Sequence, residues 1–185
     1  MNDTAPIAEG HAAASVVVRP LTAGEATARL DELAAILVDA VAHGASVNFL
    51  AGLTAQEAAA FWRSQLPGIA DGGRVLLVAE EAGCIVGTVI LTYAHQPNAP
   101  HRGEITKMLV LASHRRRGIG RRLLAAAEET ARAAGRTLLL LDTQTGSAGE
   151  ALYRACGWQA FGVVPEHALT TDGTPAPTTF FYKTL

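Results

Sequence analysis

Aromatic side chains are scarce in this sequence. Phenylalanine, tryptophan and tyrosine supply 5% of 185 residues, so aliphatic side chains must fill most of any core. Cysteine is scarcer still, with only Cys84 and Cys156. Two isolated cysteines cannot build a four-ligand zinc site or a disulfide framework. They read as reduced thiols in or near the core, and no metal is expected. No run of about 18 apolar residues is present, which argues against a helical membrane span. Residues 1–14 lack the basic start and apolar stretch of a secretory signal and read as a disordered tail. The default expectation is a cytoplasmic protein. The formal net charge is only −2, so the chain as a whole is not built to coat nucleic acid or an anionic membrane. Any basic site must be a local patch.

What remains is the composition of an ordinary globular protein: 49% apolar and 17% charged residues, in a length that suits one sizeable core. Residues 15–185 read as a single domain. Ser15 to Arg19 is a short β-branched run. Thr22 and Glu25 form a capping-box pattern ahead of Leu30, Leu33, Leu37 and Val41 at helical spacing, and Gly44 supplies the stop. Thr54 and Glu57 repeat the box for a second helix that Pro67, Gly68, Gly72 and Gly73 are expected to end.

Arg74 to Glu81 and Cys84 to His95 read as a β-hairpin, and Glu104 to Leu111 as a third consecutive strand. A long helix follows, with Leu123, Leu124, Ala127 and Ala131 inward. Thr137 to Leu141 is nearly all leucine, as expected of a strand buried on both faces. Ser147 and Glu150 cap a short helix. Gln159 to Val164 and Thr178 to Lys183 are the last strands, joined by the turn-rich segment Pro165 to Pro177. The order β, α, α, β, β, β, α, β, α, β, β implies an α+β fold. Its sheet is mixed, mostly antiparallel, of six or seven strands with helices on both faces.

One loop carries the chemistry. Arg115-Arg116-Arg117-Gly118-Ile119-Gly120-Arg121-Arg122 joins a strand to a helix. The first N–H groups of a helix have no partner within it, and the helix dipole adds partial positive charge there. Glycine permits close approach of a ligand, and arginine forks suit phosphate oxygens. Together these features suggest a pyrophosphate pocket. A Walker A loop is absent. The dinucleotide fingerprint fails because its third small position is Leu123, although Asp142 lies near where a ribose acid belongs. No aromatic residue interleaves the arginines, which disfavours a nucleic-acid patch.

The run from Met108 to Gly120 resembles the acetyl-CoA signature of the GCN5-related N-acetyltransferases (GNAT). Met108 and Val110 occupy its apolar slots, Arg115, Gly118 and Gly120 match its loop, and Ala112 replaces a frequent turn proline. The stretches Leu140 to Thr143, Gly146-Ser147, Leu152-Tyr153 and Thr179 to Lys183, with Gly44 to Val47 and Phe49, look like the tabtoxin-resistance-protein branch. Proteins of that branch acetylate the amine of a small β-lactam-containing toxin.

The resemblance implies a GNAT fold and acetyl-CoA as acetyl donor. The cofactor would be held by Met108, Leu109, Val110, Arg115, Arg116, Arg117, Gly118, Ile119, Gly120 and Arg121, with an N–H near Val110 polarising the thioester. Tyr153 would be the acid that protonates the departing thiolate. Asp142 and Glu104 are candidate bases for the acceptor ammonium, Glu104 because Thr106 stands where the branch often carries an acid or amide. His95 and His101 could relay a proton, and His114 belongs to the anion loop. Ser46, Asn48, Phe49 and Tyr182 would shape the acceptor site, and Trp62 reads as core. The implied partner is a small-molecule amine, for a monomer or homodimer without nucleic acid or membrane partners. A protein amine as acceptor, or a non-catalytic acetyl-CoA-binding module, are the rival readings.

Overall fold

The computed structural model describes residues 15–185, so the expected tail over residues 1–14 lies outside the described residues. The chain runs β1 (Val17–Leu21), α1 (Ala23–Ala28), α2 (Leu30–Ala42), α3 (Ala55–Ala70), β2 (Arg74–Glu81), β3 (Cys84–Tyr93) and β4 (Arg102–Val110). It continues through α4 (Ile119–Ala133), β5 (Leu138–Gln144), α5 (Ala148–Ala155), β6 (Gln159–Leu169) and β7 (Pro175–Thr184). A single 3-10 turn, Ala112–His114, precedes α4.

Both capping boxes form. The Thr22 hydroxyl accepts the Glu25 amide at 3.2 Å and the Glu25 carboxylate accepts the Thr22 amide at 2.8 Å. Thr54 and Glu57 repeat this at 3.2 and 2.9 Å. Several boundaries differ from expectation. The first helix is two helices, because Arg29 leaves helical geometry (φ −117°, ψ 23°) to reach Glu80 and Glu32 with its guanidinium. Helix α3 runs through Pro67 and Gly68 to Ala70 and stops just before Gly72 and Gly73. The segment Pro165 to Pro177 is not a long turn: β6 and β7 extend into it as a hairpin, with a bulge between Val164 and Ala168.

The seven strands lie in the order β1-β2-β3-β4-β5-β7-β6. Every pairing is antiparallel except β4 with β5. Helices α1 to α3 cover one face of β2 to β4, where Leu33, Ile36, Leu37, Trp62, Leu76, Val78 and Ile90 form one core cluster. Helices α4 and α5 cover the other face, where Leu77, Leu91, Leu123, Leu124, Leu139, Leu141 and Phe181 form the second. Neighbouring residues such as Leu76 and Leu77 enter different clusters, as the two-residue period of a strand requires.

That period corrects the reading of β5 as buried on both faces. Leu139 and Leu141 are buried, but Leu138 and Leu140 are only half-buried. The first cluster takes no residue from β5, β6 or β7, so among the described residues no helix covers the α3-side face of these strands. Two further expectations change. Cys84 begins β3 but is exposed rather than near the core, while Cys156 is half-buried. Among the described residues no helix is long and apolar enough to cross a membrane.

Candidate active site

Strands β4 and β5 pair over only three positions: Arg102 with Leu138, Gly103 with Leu139 and Glu104 with Leu140. Beyond that last pair β4 continues to Val110 and β5 to Gln144 without pairing to each other. The two strands therefore part, and each presents backbone groups with no sheet partner on that side. The parting coincides with a bulge in β4. Ile90 faces Thr106 and Thr88 faces Leu109, so two β4 residues, Lys107 and Met108, oppose the single Val89. Lys107 has φ +49°, and its carbonyl accepts a hydrogen bond from the Thr88 hydroxyl at 3.0 Å.

The Leu111 amide donates to the Val86 carbonyl at 3.0 Å, on the β3 side. Strand alternation turns the backbone groups of Val110 the other way, toward the gap, and those of Leu109 toward β3. The Val110 carbonyl accepts Nε of Arg115 at 3.2 Å. Met108 packs half-buried against the second cluster, and Leu109 is buried in the first.

The loop to α4 bends at Arg116 (φ +63°) and Gly118 (φ +77°). Gly118 is the N-cap and no side chain caps the helix, so the first-turn amides of Ile119, Gly120 and Arg121 have no acceptor among the described residues. Ile119 is buried and anchors the loop. At Gly120 a Cβ would come within 3.1 Å of Leu152 Cδ2, so the turn lies close against α5.

The arginines divide, which corrects the picture of a five-arginine cradle. Arg117 makes a two-pronged ion pair with Glu81 at 3.0 and 2.6 Å. Arg122 donates to the Val16 carbonyl at 2.6 Å, and Arg115 holds Val110. Arg116 and Arg121 form no ion pair or side-chain hydrogen bond among the described residues and are exposed. His114 faces the Glu81 carboxylate at 3.2 Å rather than solvent or a phosphate. Arg117 holds the Glu81 carboxyl below its ordinary value, with His114 adding to the effect.

On the α5 side, Ser147 caps the helix by accepting the Glu150 amide at 3.1 Å, and Thr143 and Ser147 share a hydroxyl hydrogen bond at 3.1 Å. Gly149 fits close beneath them, since a Cβ there would lie 3.0 Å from Thr143 Oγ1. This fixes Tyr153, which is buried against Trp158 and Phe181 with ring centroids 6.1 Å away in each case. Burial, helped by the Asp142 charge, pushes the Tyr153 phenol well above its ordinary value of 10.0. The hydroxyl therefore keeps its proton at neutral pH.

Asp142 and Glu104 are both exposed. The register places Glu104 beside Leu140 and beside Thr92, and Asp142 two residues on, all on the α3-side face. Tyr153 stands on the opposite face of the sheet, with Phe181. The phenol and the two carboxylates thus lie on opposite faces of the sheet. His95 and His101 are exposed loop residues.

Ser46, Asn48 and Phe49 line an open depression of about 170 Å³ together with Ala168 and Leu169 of β6. Two hydrogen bonds join this loop to the hairpin tip: Ser46 Oγ to the Leu169 carbonyl at 3.3 Å, and the Ala51 amide to the Thr171 carbonyl at 2.7 Å. Tyr182 is not part of the depression. It lies at the hairpin base, where its hydroxyl donates to Gln159 at 2.6 Å. A larger open groove of about 470 Å³ runs along α2 past Ala34, Ala35 and Val38 and contains none of the candidate residues. Trp62 is core, with Nε1 lacking a partner among the described residues.

Sequence reasoning overlooked Phe61, which stacks edge-on against Phe49 at 5.5 Å and carries Nζ of Lys107 over its ring at 5.0 Å. A lone lysine in the apolar run Ile105 to Val110 was the available signal.

Residues 38–158, more than half of the chain, match the Acetyltransferase (GNAT) family. Among solved structures, a ribosomal-protein-alanine N-acetyltransferase from Brucella melitensis is 25% identical, with TM-score 0.72 over 91% of this chain and 99% of that one. The yncA protein of Salmonella typhimurium, solved with its cofactor acetyl-CoA, is 20% identical, with TM-score 0.73 over 92% and 94%. A candidate phosphinothricin N-acetyltransferase is 19% identical, with TM-score 0.74 over 92% and 99%. The parted strands, the bulge and the arginine–glycine turn sit on that shared fold, and the chain belongs to the GNAT acetyltransferase family.

Proposed function

We propose that the protein moves an acetyl group from acetyl-CoA to the primary amine of a small molecule, by direct attack within a ternary complex. The parting of β4 and β5 after Glu104 and Leu140 carries this reading. It leaves a slot lined by unpaired backbone groups, and the amides of Ile119, Gly120 and Arg121 stand at one end of it as an anion site. These groups fit the pantetheine amides and the pyrophosphate of coenzyme A. Acetyl-CoA supplies the acetyl group as a thioester.

The chain's own residues then move protons. Asp142 or Glu104 accepts one proton from the acceptor ammonium and passes it to solvent, which exposes the nitrogen lone pair. The Val110 amide, facing the gap, stabilises charge on the thioester oxygen as the new C–N bond forms. As the C–S bond breaks, Tyr153 gives its proton to sulfur and regains one from the acylated nitrogen. A phenol that stays protonated at neutral pH suits that order of events.

The depression at Ser46, Asn48 and Phe49 is closed on one side by the β6–β7 hairpin tip. That closure favours a small acceptor over an extended protein chain. Toxin or antibiotic detoxification in the cytoplasm is the role suggested by the tabtoxin-resistance resemblance. A protein amine is the second reading, favoured by the Brucella melitensis ribosomal-protein-alanine N-acetyltransferase among the neighbours.

The test is thiol release from acetyl-CoA over amino acids, dipeptides, aminoglycosides, polyamines and N-terminal peptides. Turnover with a small amine supports the proposal. Turnover with peptides alone would favour the second reading. Tight acetyl-CoA binding with no turnover at all would favour a non-catalytic module.

A further inference from the structure

We infer that Lys107 selects the acceptor, by binding a carboxylate or equivalent anion carried next to the amine that is acetylated. The inference rests on the proposed amine acetylation and names the substrate class of that site. It assigns to a single side chain a role that the sequence motifs leave open.

The β4 bulge is the first observation. Thr106 faces the α3 side, so in a regular strand residue 107 would point into the α4-side core among Leu123 and Leu124. The extra residue and the positive φ at Lys107 turn its side chain back, and Nζ comes to rest 5.0 Å from the Phe61 ring of α3. The Thr88 hydroxyl fastens the bulge from the neighbouring strand. The backbone is thus held in an unfavourable conformation that delivers a cation to the acceptor side of the gap.

Charge is the second observation. The chain has only two lysines. Lys183 is paired with the buried Glu128 at 2.7 Å and donates to the Cys156 carbonyl at 2.8 Å. Lys107 is half-buried yet makes no ion pair or hydrogen bond among the described residues. A partly desolvated ammonium without an anion is unfavourable, and a bound anion relieves it.

The third observation is the placement of the carboxylates. Burial lowers the Lys107 pKa, and the charges of Asp142 and Glu104 raise it again, so both are near it. Neither forms an ion pair with it. A cation beside Phe61 of α3 thus lies near two carboxylates, Glu104 and Asp142, on the same side of the sheet. That arrangement matches a zwitterion: its ammonium toward Asp142 and Glu104, its anion toward Lys107, and its apolar part against Phe61 and Phe49. If Lys107 instead served as the base, its loss would lower turnover for every amine alike.

The experiment compares matched acceptors that differ only in the carboxylate, leucine against isoamylamine and phenylalanine against phenethylamine. Thiol release is measured for the wild-type chain, Lys107→Met, Lys107→Gln and Lys107→Arg, with calorimetry of acetyl-CoA binding as control. The wild type should favour the carboxylate-bearing member by about tenfold or more in kcat/KM. Lys107→Met and Lys107→Gln should raise KM for that member by about tenfold with kcat little changed, leave the carboxylate-free amines unaffected, and keep acetyl-CoA affinity. Lys107→Arg should restore part of the preference.

Equal use of both members by the wild type would overturn this inference and leave amine acetylation standing. So would equal loss on both members in Lys107→Gln, or a fall in kcat with loss of a pH limb, which would mark Lys107 as a base. If no amine is acetylated although acetyl-CoA binds, the proposed function and this inference fall together.

Discussion

Arg117 lays both arms of its guanidinium on the two oxygens of Glu81, at 3.0 and 2.6 Å. The pair ties the end of the loop before α4 to the end of β2. It also removes one arginine from the anion site that the sequence suggests. Only the side chains of Arg116 and Arg121 remain without a protein partner among the described residues. Arg116→Gln and Arg121→Gln should each weaken coenzyme A binding by about 3- to 10-fold, more at low salt than at high. Arg117→Gln should change it less than about twofold. Calorimetric titration at two salt concentrations distinguishes the three.

Tyr153 should matter to chemistry and not to binding. Tyr153→Phe keeps the ring contacts with Trp158 and Phe181 and removes only the hydroxyl. We expect kcat for thiol release to fall about 100-fold with coenzyme A affinity unchanged. Because burial raises the phenol above 10.0, no loss of rate due to its ionisation should appear below that pH. A loss of coenzyme A binding equal to the loss of rate would show that the hydroxyl is structural.

Gly103 sits in the last stretch where β4 and β5 pair. A Cβ there would lie 2.9 Å from Leu139 Cδ2 and 3.1 Å from Leu91 Cδ1. Gly103→Ala should cost about 1–3 kcal/mol of stability through overpacking. Urea denaturation measures this. A loss of activity in a variant that still folds would follow from displacement of the point where the strands part.

Glu128 is a buried junction. Its carboxylate accepts Trp158 Nε1 at 3.0 Å and Lys183 Nζ at 2.7 Å, joining α4 to the C-terminal strands. Glu128→Ala leaves the Lys183 charge and the indole N–H without this partner, and should destabilise by about 3–5 kcal/mol. Thermal unfolding of this variant, compared with Glu129→Ala on the exposed side of the same helix, isolates the effect.

Acid should weaken the N-terminal cap of α1. Glu25 is held down to about 2, against an ordinary value of 4.5, by the Thr22 amide first, then the Thr22 hydroxyl and Arg19. Its contribution is therefore complete above 4.5 and is lost as pH falls toward about 2. Glu25→Gln should lower the urea midpoint at pH 7, and the difference from wild type should shrink steadily as pH is taken below 4.5. A constant difference across that range would place the effect elsewhere.

The sequence by itself determined the local structure and the family. Capping boxes at Thr22 and Thr54, apolar periodicity in α2 and α4 and the leucines of β5 act over a few residues, so they are readable along one chain. The strand–turn–helix context of Arg115 to Gly120 is equally local, and the match to the GNAT acetyltransferase family over residues 38–158 agrees with it. Local signals misled where tertiary packing competes with them. Pro67 is tolerated near the end of α3, and the β6–β7 hairpin extends through residues that read as turns, because strand pairing outweighs their weak preferences.

Only the tertiary structure decided which residues share a site. No spacing in the sequence tells that Glu81, from the first hairpin, claims Arg117, or that β4 and β5 part after Glu104. The same holds for the bulge that turns Lys107 from the core toward Phe61, since strand alternation read from sequence assigns it to the opposite face. Ion pairs, register and the hand of a single β-residue depend on groups far apart in the chain. The chemistry of this site was thus written in the residues, but its arrangement was set by strand pairing.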